Sequence, residues 1–152
     1  MTGVSSPLHT PFSVLRQAPF FTGLSDAQLH AITLIARPED WAQHSRIYNI
    51  GDPVKSLYVL LDGKVRFAIG VGGRNTSAGD VLERGQVFGW AALVPEAQGR
   101  IATASCVTDC RVLAIDGARL LMLMDADHTM GYRIMKQLNL LITGTFTSFA
   151  AG

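Results

Sequence analysis

Apolar and polar positions follow two different rhythms along this chain. Leu29, Ile32 and Ile35 recur at a helical interval, and Ser25-Asp-Ala-Gln28 ahead of them is a capping-box start, so the pattern predicts a helix from Ser25 to about Ala36. Upstream, residues 12–24 mix apolar side chains with Pro19 and Gly23, which predicts a short helix and a turn. From Arg37 to about Ile115 the rhythm changes to short β-rich runs separated by turn residues. The runs are Ser45–Ile50, Leu57–Leu61, Val65–Ile69, Gly79–Glu83, Arg100–Val107 and Arg111–Ile115. Asp62-Gly63 between two of them predicts a tight hairpin, and Gly70–Gly79 a longer, Gly-rich hairpin loop. Many short strands with close turns predict an antiparallel sandwich or barrel.

The helical rhythm returns in the last third. Asp116-Gly117-Ala118 leads a short helix through Met124, and Asp127 caps a longer one from His128 to about Phe146. Met130, Ile134, Leu138, Leu141 and Thr145 form a near-heptad stripe on it, which predicts a homodimer with the long C-terminal helices side by side. The rival arrangement turns Ile134 and Leu141 onto the β structure. Gly144 and the Thr-rich end weaken the helix, each by up to about 1 kcal/mol. The expected fold is one domain over residues 1–152, mainly β with flanking helices. A jelly-roll-like antiparallel β-roll at about 37–115 is preceded by N-terminal helices, interrupted by a short helix, and followed by helices at about 117–147.

With 48% apolar and 16% charged residues the chain is ordered, and long enough to bury a core without disulfides or metals. The net charge is +1 and the 13 basic residues are scattered, which argues against a nucleic-acid footprint. Met1–Leu8 shows neither the basic nor the apolar region of a secretory signal, and stretches such as Leu120–Met124 are too short to cross a bilayer. Cys106 and Cys110 read as buried, inert thiols, which points to a reducing, cytoplasmic compartment. His9, His30, His44 and His128 lack ligand spacing, and Asp62, Asp80 and Glu83 read as solvated turn residues, so no metal site is expected. Gly70-Val-Gly-Gly73 lacks the Lys-Ser/Thr of a P-loop. No nucleophile–base pair suggests itself, and the chain does not read as an enzyme.

The chemistry concentrates in residues 85–104: Gly85-Gln-Val-Phe88-Gly89-Trp90-Ala91-Ala92-Leu93-Val94, a polar spacer, then Arg100-Ile101-Ala102-Thr103-Ala104. A glycine turn opens a short apolar helix and a lone Arg follows at a strand start. Helix-start N–H groups and a guanidinium can converge on one anion, most naturally a phosphate. The stretch resembles the phosphate-binding cassette of cyclic-nucleotide-binding domains, Phe-Gly-Glu-x-Ala-Leu, a spacer, then Arg-x-Ala-Thr. Ile50-Gly51-Asp52, Leu57-Tyr-Val-Leu-Leu-Asp-Gly-Lys-Val65 and Cys110-Arg-Val-Leu-Ala-Ile115-Asp116 match the same family in order, and the resemblance covers about residues 17–147. It is nearest to the sensor halves of catabolite-activator-type (CRP/FNR) bacterial regulators. These append a helix-turn-helix domain for which this chain has no room, so their DNA binding does not carry over.

The resemblance implies a ligand site at Phe88, Gly89, Trp90, Ala91, Ala92, Arg100 and Ile101, with Thr145 on the last helix near the purine, and a cyclic nucleotide (cAMP or cGMP) as ligand. In it Arg100 binds the exocyclic phosphate. Trp90 stands where the family has a glutamate that accepts from the ribose 2′-hydroxyl. An indole only donates, and losing a charge-assisted bond of about 1.5–3 kcal/mol weakens binding roughly 10- to 100-fold. Trp90 either stacks on an aromatic ligand or fills the pocket. His44 replaces a frequent family glycine before a strand, implying a left-handed backbone there. The function implied is a ligand-sensing regulatory domain; the alternative is a ligand-independent dimerisation module that keeps only the fold. A heme or redox sensor is a third reading, with no His at a defined pocket position to support it.

Overall fold

A computed structural model describes residues 10–71, 74–77 and 79–152. Met1–Leu8, His9 and the glycines at 72 and 73 lie outside the described residues. Helix α1 (Pro11–Gln17) is capped by Thr10, and a 3-10 turn follows at Pro19–Phe21. Helix α2 (Asp26–Thr33) has both halves of its capping box, with Ser25 accepting from the Gln28 amide and Gln28 reaching back to the Ser25 N–H. It stops short of Ala36, because Ala36 opens β1 (Ala36–Trp41), a strand that the sequence pattern did not separate. β1 carries Pro38, which the ladder tolerates because β1 is an edge strand.

The remaining strands are β2 (Arg46–Tyr48), β3 (Ser56–Asp62), β4 (Val65–Val71), β5 (Arg74–Ser77), β6 (Val87–Phe88), β7 (Thr103–Cys106) and β8 (Cys110–Asp116). They form two antiparallel four-stranded sheets, ordered β1-β8-β3-β6 and β2-β7-β4-β5. This is the expected β-roll, with three local differences. Asp62-Gly63 does turn (Gly63 φ +96°), but β3 and β4 belong to different sheets, so it is a corner rather than a hairpin. The predicted Gly79–Glu83 strand is a single bridge, Val65 to Leu82, while β5 lies inside the stretch expected to be loop and pairs with β4 from Ala68↔Ser77 to Val71↔Arg74. The run from Arg100 becomes strand only at Thr103, because Arg100 exchanges main-chain bonds with the Gly51-Asp52 turn instead.

Tyr58, Phe67 and Phe88 fill the space between the sheets, Phe88 stacking on Tyr58 (5.0 Å) and meeting Phe67 edge-on (5.8 Å). The outer face of the first sheet lies under α1, α2 and α3 (Gly117–Ala126), so β3 and β8 are buried on both sides and read as unbroken apolar runs. His44 adopts φ +72°, the expected left-handed backbone. Cys106 and Cys110 are buried free thiols, and burial pushes Cys106 up to about 12.

Helix α4 (His128–Ile142) starts on the Asp127 cap as expected but ends before Gly144, and Thr145 caps a separate helix, α5 (Phe146–Ala150). Met130, Ile134 and Leu138 are buried in the chain's own core, Leu141 is half-buried and Thr145 exposed. α4 packs on α3 and on the Pro19–Phe21 turn, so Met130, Ile134 and Leu138 are covered within the chain and are not free for a dimer seam; the cover is helical, not the β structure of the rival arrangement. Among the described residues no helix is long and apolar enough to cross a membrane.

Candidate functional site

The site begins at Gly89, whose φ of +73° suits glycine and whose missing Cβ leaves room for its neighbours. A Cβ there would sit 2.9 Å from Tyr58 Cδ2, 3.0 Å from an Arg100 nitrogen and 3.0 Å from the Ser56 carbonyl oxygen. The left-handed step releases a 3-10 turn at Trp90–Leu93 and directs the Gly89 and Ala91 amides outward from it. The Ala92 amide bonds back to the Gly89 carbonyl (3.2 Å), so it closes the turn and is not a free donor to the site.

Arg100 is carried to this turn by main-chain pairing: its N–H donates to the Asp52 carbonyl (3.0 Å) and its carbonyl accepts from Gly51 N–H (2.8 Å). The Asn49 amide donating to the Asp52 carboxylate (2.8 Å) and the Ile50 amide donating to Thr103 Oγ1 (2.9 Å) fix the same corner. The Ile50-Gly51-Asp52 motif therefore acts as the arginine's mount. The side chain itself is buried, its guanidinium carbon 4.3 Å above the Tyr48 ring and 5.8 Å from that of Tyr58. One terminal nitrogen donates to the Ser56 carbonyl (2.6 Å), the other to the Gly152 carbonyl (3.0 Å), and the buried Nε has no partner among the described residues. Among the described residues no carboxylate pairs with it at ion-pair distance.

Burying a guanidinium without a counter-ion is costly, and the two tyrosine faces and two carbonyls offset only part of that cost. Burial accordingly lowers the Arg100 pKa, against the opposing pull of Tyr48, Tyr58 and Asp52. Burial raises Tyr48 and Tyr58 in turn, so both stay neutral. The result is a positive charge on an aromatic bed beside two outward amides, an arrangement with the chemistry to bind an anion.

These donors are bonded to residues 148–152 of the chain itself. Gly89 N–H donates to the Ala151 carbonyl (2.5 Å) and Ala91 N–H to that of Gly152 (3.4 Å). The Tyr48 hydroxyl donates to the Ala151 carbonyl (3.4 Å), and Trp90 Nε1 donates to the Ser148 carbonyl (2.8 Å). Trp90 is thus buried against α5, near Phe149 at 6.3 Å between ring centroids. The structure brings Gly89, Trp90, Ala91, Arg100 and Ile101 together around Gly152; Phe88 lies beneath them in the core. Thr145 is placed elsewhere: its hydroxyl caps α5 through the Ser148 amide (3.0 Å), at the rim of a cavity of about 280 Å³ lined also by Leu82, Gly85 and Leu141.

Sequence reasoning missed Tyr48, Tyr58, the Ser56 carbonyl and residues 147–152. The tyrosines lie on strands that meet only in the fold. The small residues Ala150-Ala151-Gly152 were the one local signal, since nothing bulkier fits where they pack.

The sequence matches the family model described as the cyclic nucleotide-binding domain over residues 38–127. No curated protein matches it. Among solved structures, the N-terminal domain of a transcriptional regulator from Streptomyces coelicolor A3(2) is similar, at 23% identity over 83% of this chain and 89% of that one (TM-score 0.71). The sensor domain of the regulator DNR from Pseudomonas aeruginosa shares the fold at 17% identity, 85% and 86% coverage and TM-score 0.73. The catabolite activator protein of Thermus thermophilus is 26% identical over 80% of this chain, which spans 57% of that longer chain (TM-score 0.70).

Proposed function

The chain belongs to the cyclic nucleotide-binding domain family, and from that premise we propose that it is a cytoplasmic ligand-sensing regulatory domain whose ligand carries a phosphate. The supporting observation is Arg100, buried with no carboxylate partner and no partner for Nε among the described residues, beside the Gly89 and Ala91 amides. Arg100 is the phosphate ligand in this reading and Gly89 and Ala91 supply amides. Phe88 supports the turn from below, while Trp90, Ile101 and the Tyr48 ring bound the pocket. The role is binding and signalling, with no catalytic step.

The ligand class is a cyclic mononucleotide, cAMP or cGMP, held weakly. Trp90 supplies no acceptor for a ribose hydroxyl, and its N–H is already bonded to Ser148. This favours pocket filling over stacking on a base, and a dissociation constant for cAMP above about 10 μM. Calorimetric titration of the unmodified protein and of Arg100→Ala with cAMP and cGMP tests the reading. Measurable binding that disappears in the variant supports it; equal affinity in both removes the phosphate assignment.

The second reading, a ligand-independent interaction module, is favoured by one observation: Ala151 and Gly152 already satisfy the receptor. Such a module would pair with a second copy through exposed Tyr132, Leu140 and Phe146 rather than through the buried stripe. Absence of nucleotide binding even in Trp90→Glu, with a dimer in light scattering, selects it.

A further inference from the structure

Nothing in the family match concerns residues 128–152, yet these residues supply the acceptors that fill the receptor. We propose that residues 145–152 are a built-in competitor for the anion site, which a phosphate-bearing ligand must displace to bind. The inference rests on the preceding reading that the site takes an anion.

The argument is one of exclusive occupancy. Gly89 N–H has a single proton and directs it at the Ala151 carbonyl, 2.5 Å away. The Arg100 nitrogen beside it is directed at the Gly152 carbonyl, and the Tyr48 hydroxyl at that of Ala151. Gly152 itself is wedged in the cleft: a Cβ on it would lie 2.7 Å from Trp90 Cζ2 and 3.1 Å from Ile101 Cδ1. A phosphate reaching these donors needs the volume that Ala151 and Gly152 occupy, so the two states cannot coexist.

The two occupants also differ in strength. The Ala151 and Ser148 carbonyls are neutral dipoles, whereas a phosphate oxygen carries formal charge and makes the stronger bond to these donors. The segment compensates by being tethered, which gives it a high effective concentration at the site. Its other holds are few: Asp80 N–H to Thr147 Oγ1 (2.6 Å), Trp90 Nε1 to the Ser148 carbonyl, and the buried Ala150 and Ala151 methyls. Its connection to α4 passes through Thr143 and Gly144, where the helix is already broken, so α5 can leave while α4 stays docked. Displacement then uncovers the Trp90 face and frees residues 145–152 as the output of the sensor.

The test uses the full chain and Ala151→Arg, which places a bulky cation where a methyl is fully buried, one residue from the acceptor of Arg100. If the segment holds the site closed at least nine-tenths of the time, this variant binds cAMP about tenfold more tightly or better than the unmodified protein. In the unmodified protein, saturating cAMP should also raise amide hydrogen exchange across residues 146–152 while leaving 130–141 protected, a measurement that stands even if the variant folds poorly. Equal affinities, or binding without any rise in exchange at 146–152, overturn the competitor and leave the anion-site reading intact. Absence of cAMP and cGMP binding in both proteins overturns the reading, and the competitor with it.

Discussion

Helices α4 and α5 are neighbours in sequence and are held by opposite means. α4 buries Met130, Ile134 and Leu138 and is pinned at its start by Asp127, whose carboxylate accepts from the Gln28 side-chain amide (2.8 Å) and from the Met130 N–H (3.2 Å). α5 is a five-residue helix with Phe146 and Phe149 largely in solvent. It packs on β4 through buried Thr147 and Ala150, and its segment's main-chain carbonyls accept from Arg100, Gly89, Ala91 and Trp90. Apolar burial has no substitute in solution, whereas a carbonyl acceptor can be replaced by any better acceptor. α4 is therefore held chiefly by apolar burial, and the α5 segment by the buried Ala150 and Ala151 together with acceptors that a ligand can replace.

The largest way to break this contrast is Ile134→Asp. Ile134 is fully buried, so the carboxylate has no solvent and the variant should lose several kcal/mol and fail to melt cooperatively in circular dichroism. Leu141→Asp, at a half-buried position, should remain folded. Equal tolerance of both would mean that α4 is not anchored as described.

Arg100→Ala acts on the other helix. It removes the donor to Gly152 and leaves the Ser56 carbonyl without it, so residues 146–152 should exchange amide hydrogens faster while α4 remains protected. The loss of a charged donor corresponds to about 1.5–3 kcal/mol at most, enough to loosen α5 and not to unfold the roll. Unchanged exchange at 146–152 would show that the apolar contacts of Ala150 and Ala151 hold α5 by themselves.

Substitutions at Trp90 sharpen the comparison by separating two effects. Trp90→Phe removes the donor to the Ser148 carbonyl, worth about 1 kcal/mol, together with the indole edge beside Gly152, and should tighten cAMP binding severalfold by weakening the hold on α5. Trp90→Glu also supplies the missing acceptor and should tighten it further. Equal affinities for the two variants, measured by calorimetry, would assign the whole effect to α5.

The smallest effect is the pH response of the α4 cap. Hydrogen bonds from Gln28, and then from the Met130 amide, hold the Asp127 carboxyl below its ordinary range. A folded-state value below the unfolded one stabilises fully above the ordinary carboxylate value of about 4 and is lost as pH falls through the folded value. Denaturant midpoints of the unmodified protein and Asp127→Asn should differ at neutral pH and converge in acid. A gap that is the same at both would rule out the ionised cap.

The sequence by itself determined what depends on local pattern. Ser25 through Gln28 specified the start of α2, Asp127 that of α4, and Gly89 and Arg100 were marked out as the turn and the arginine that meet in the fold, because caps, periodicity and turn chemistry act over a few residues. Where apolar content was sparse or shared, only the tertiary structure decided. Arg74–Ser77 is a strand because β4 offers it a ladder, and Asp62-Gly63 is a corner because its flanking strands join different sheets. The α4 stripe looked like a seam between copies because periodicity shows that a face is apolar and not what covers it; here the cover is α3 and the Pro19–Phe21 turn. The pairing of Arg100 with Tyr48, Tyr58 and Gly152 joins residues about fifty positions apart through main-chain carbonyls and ring faces, which carry no residue-specific signal to read in advance.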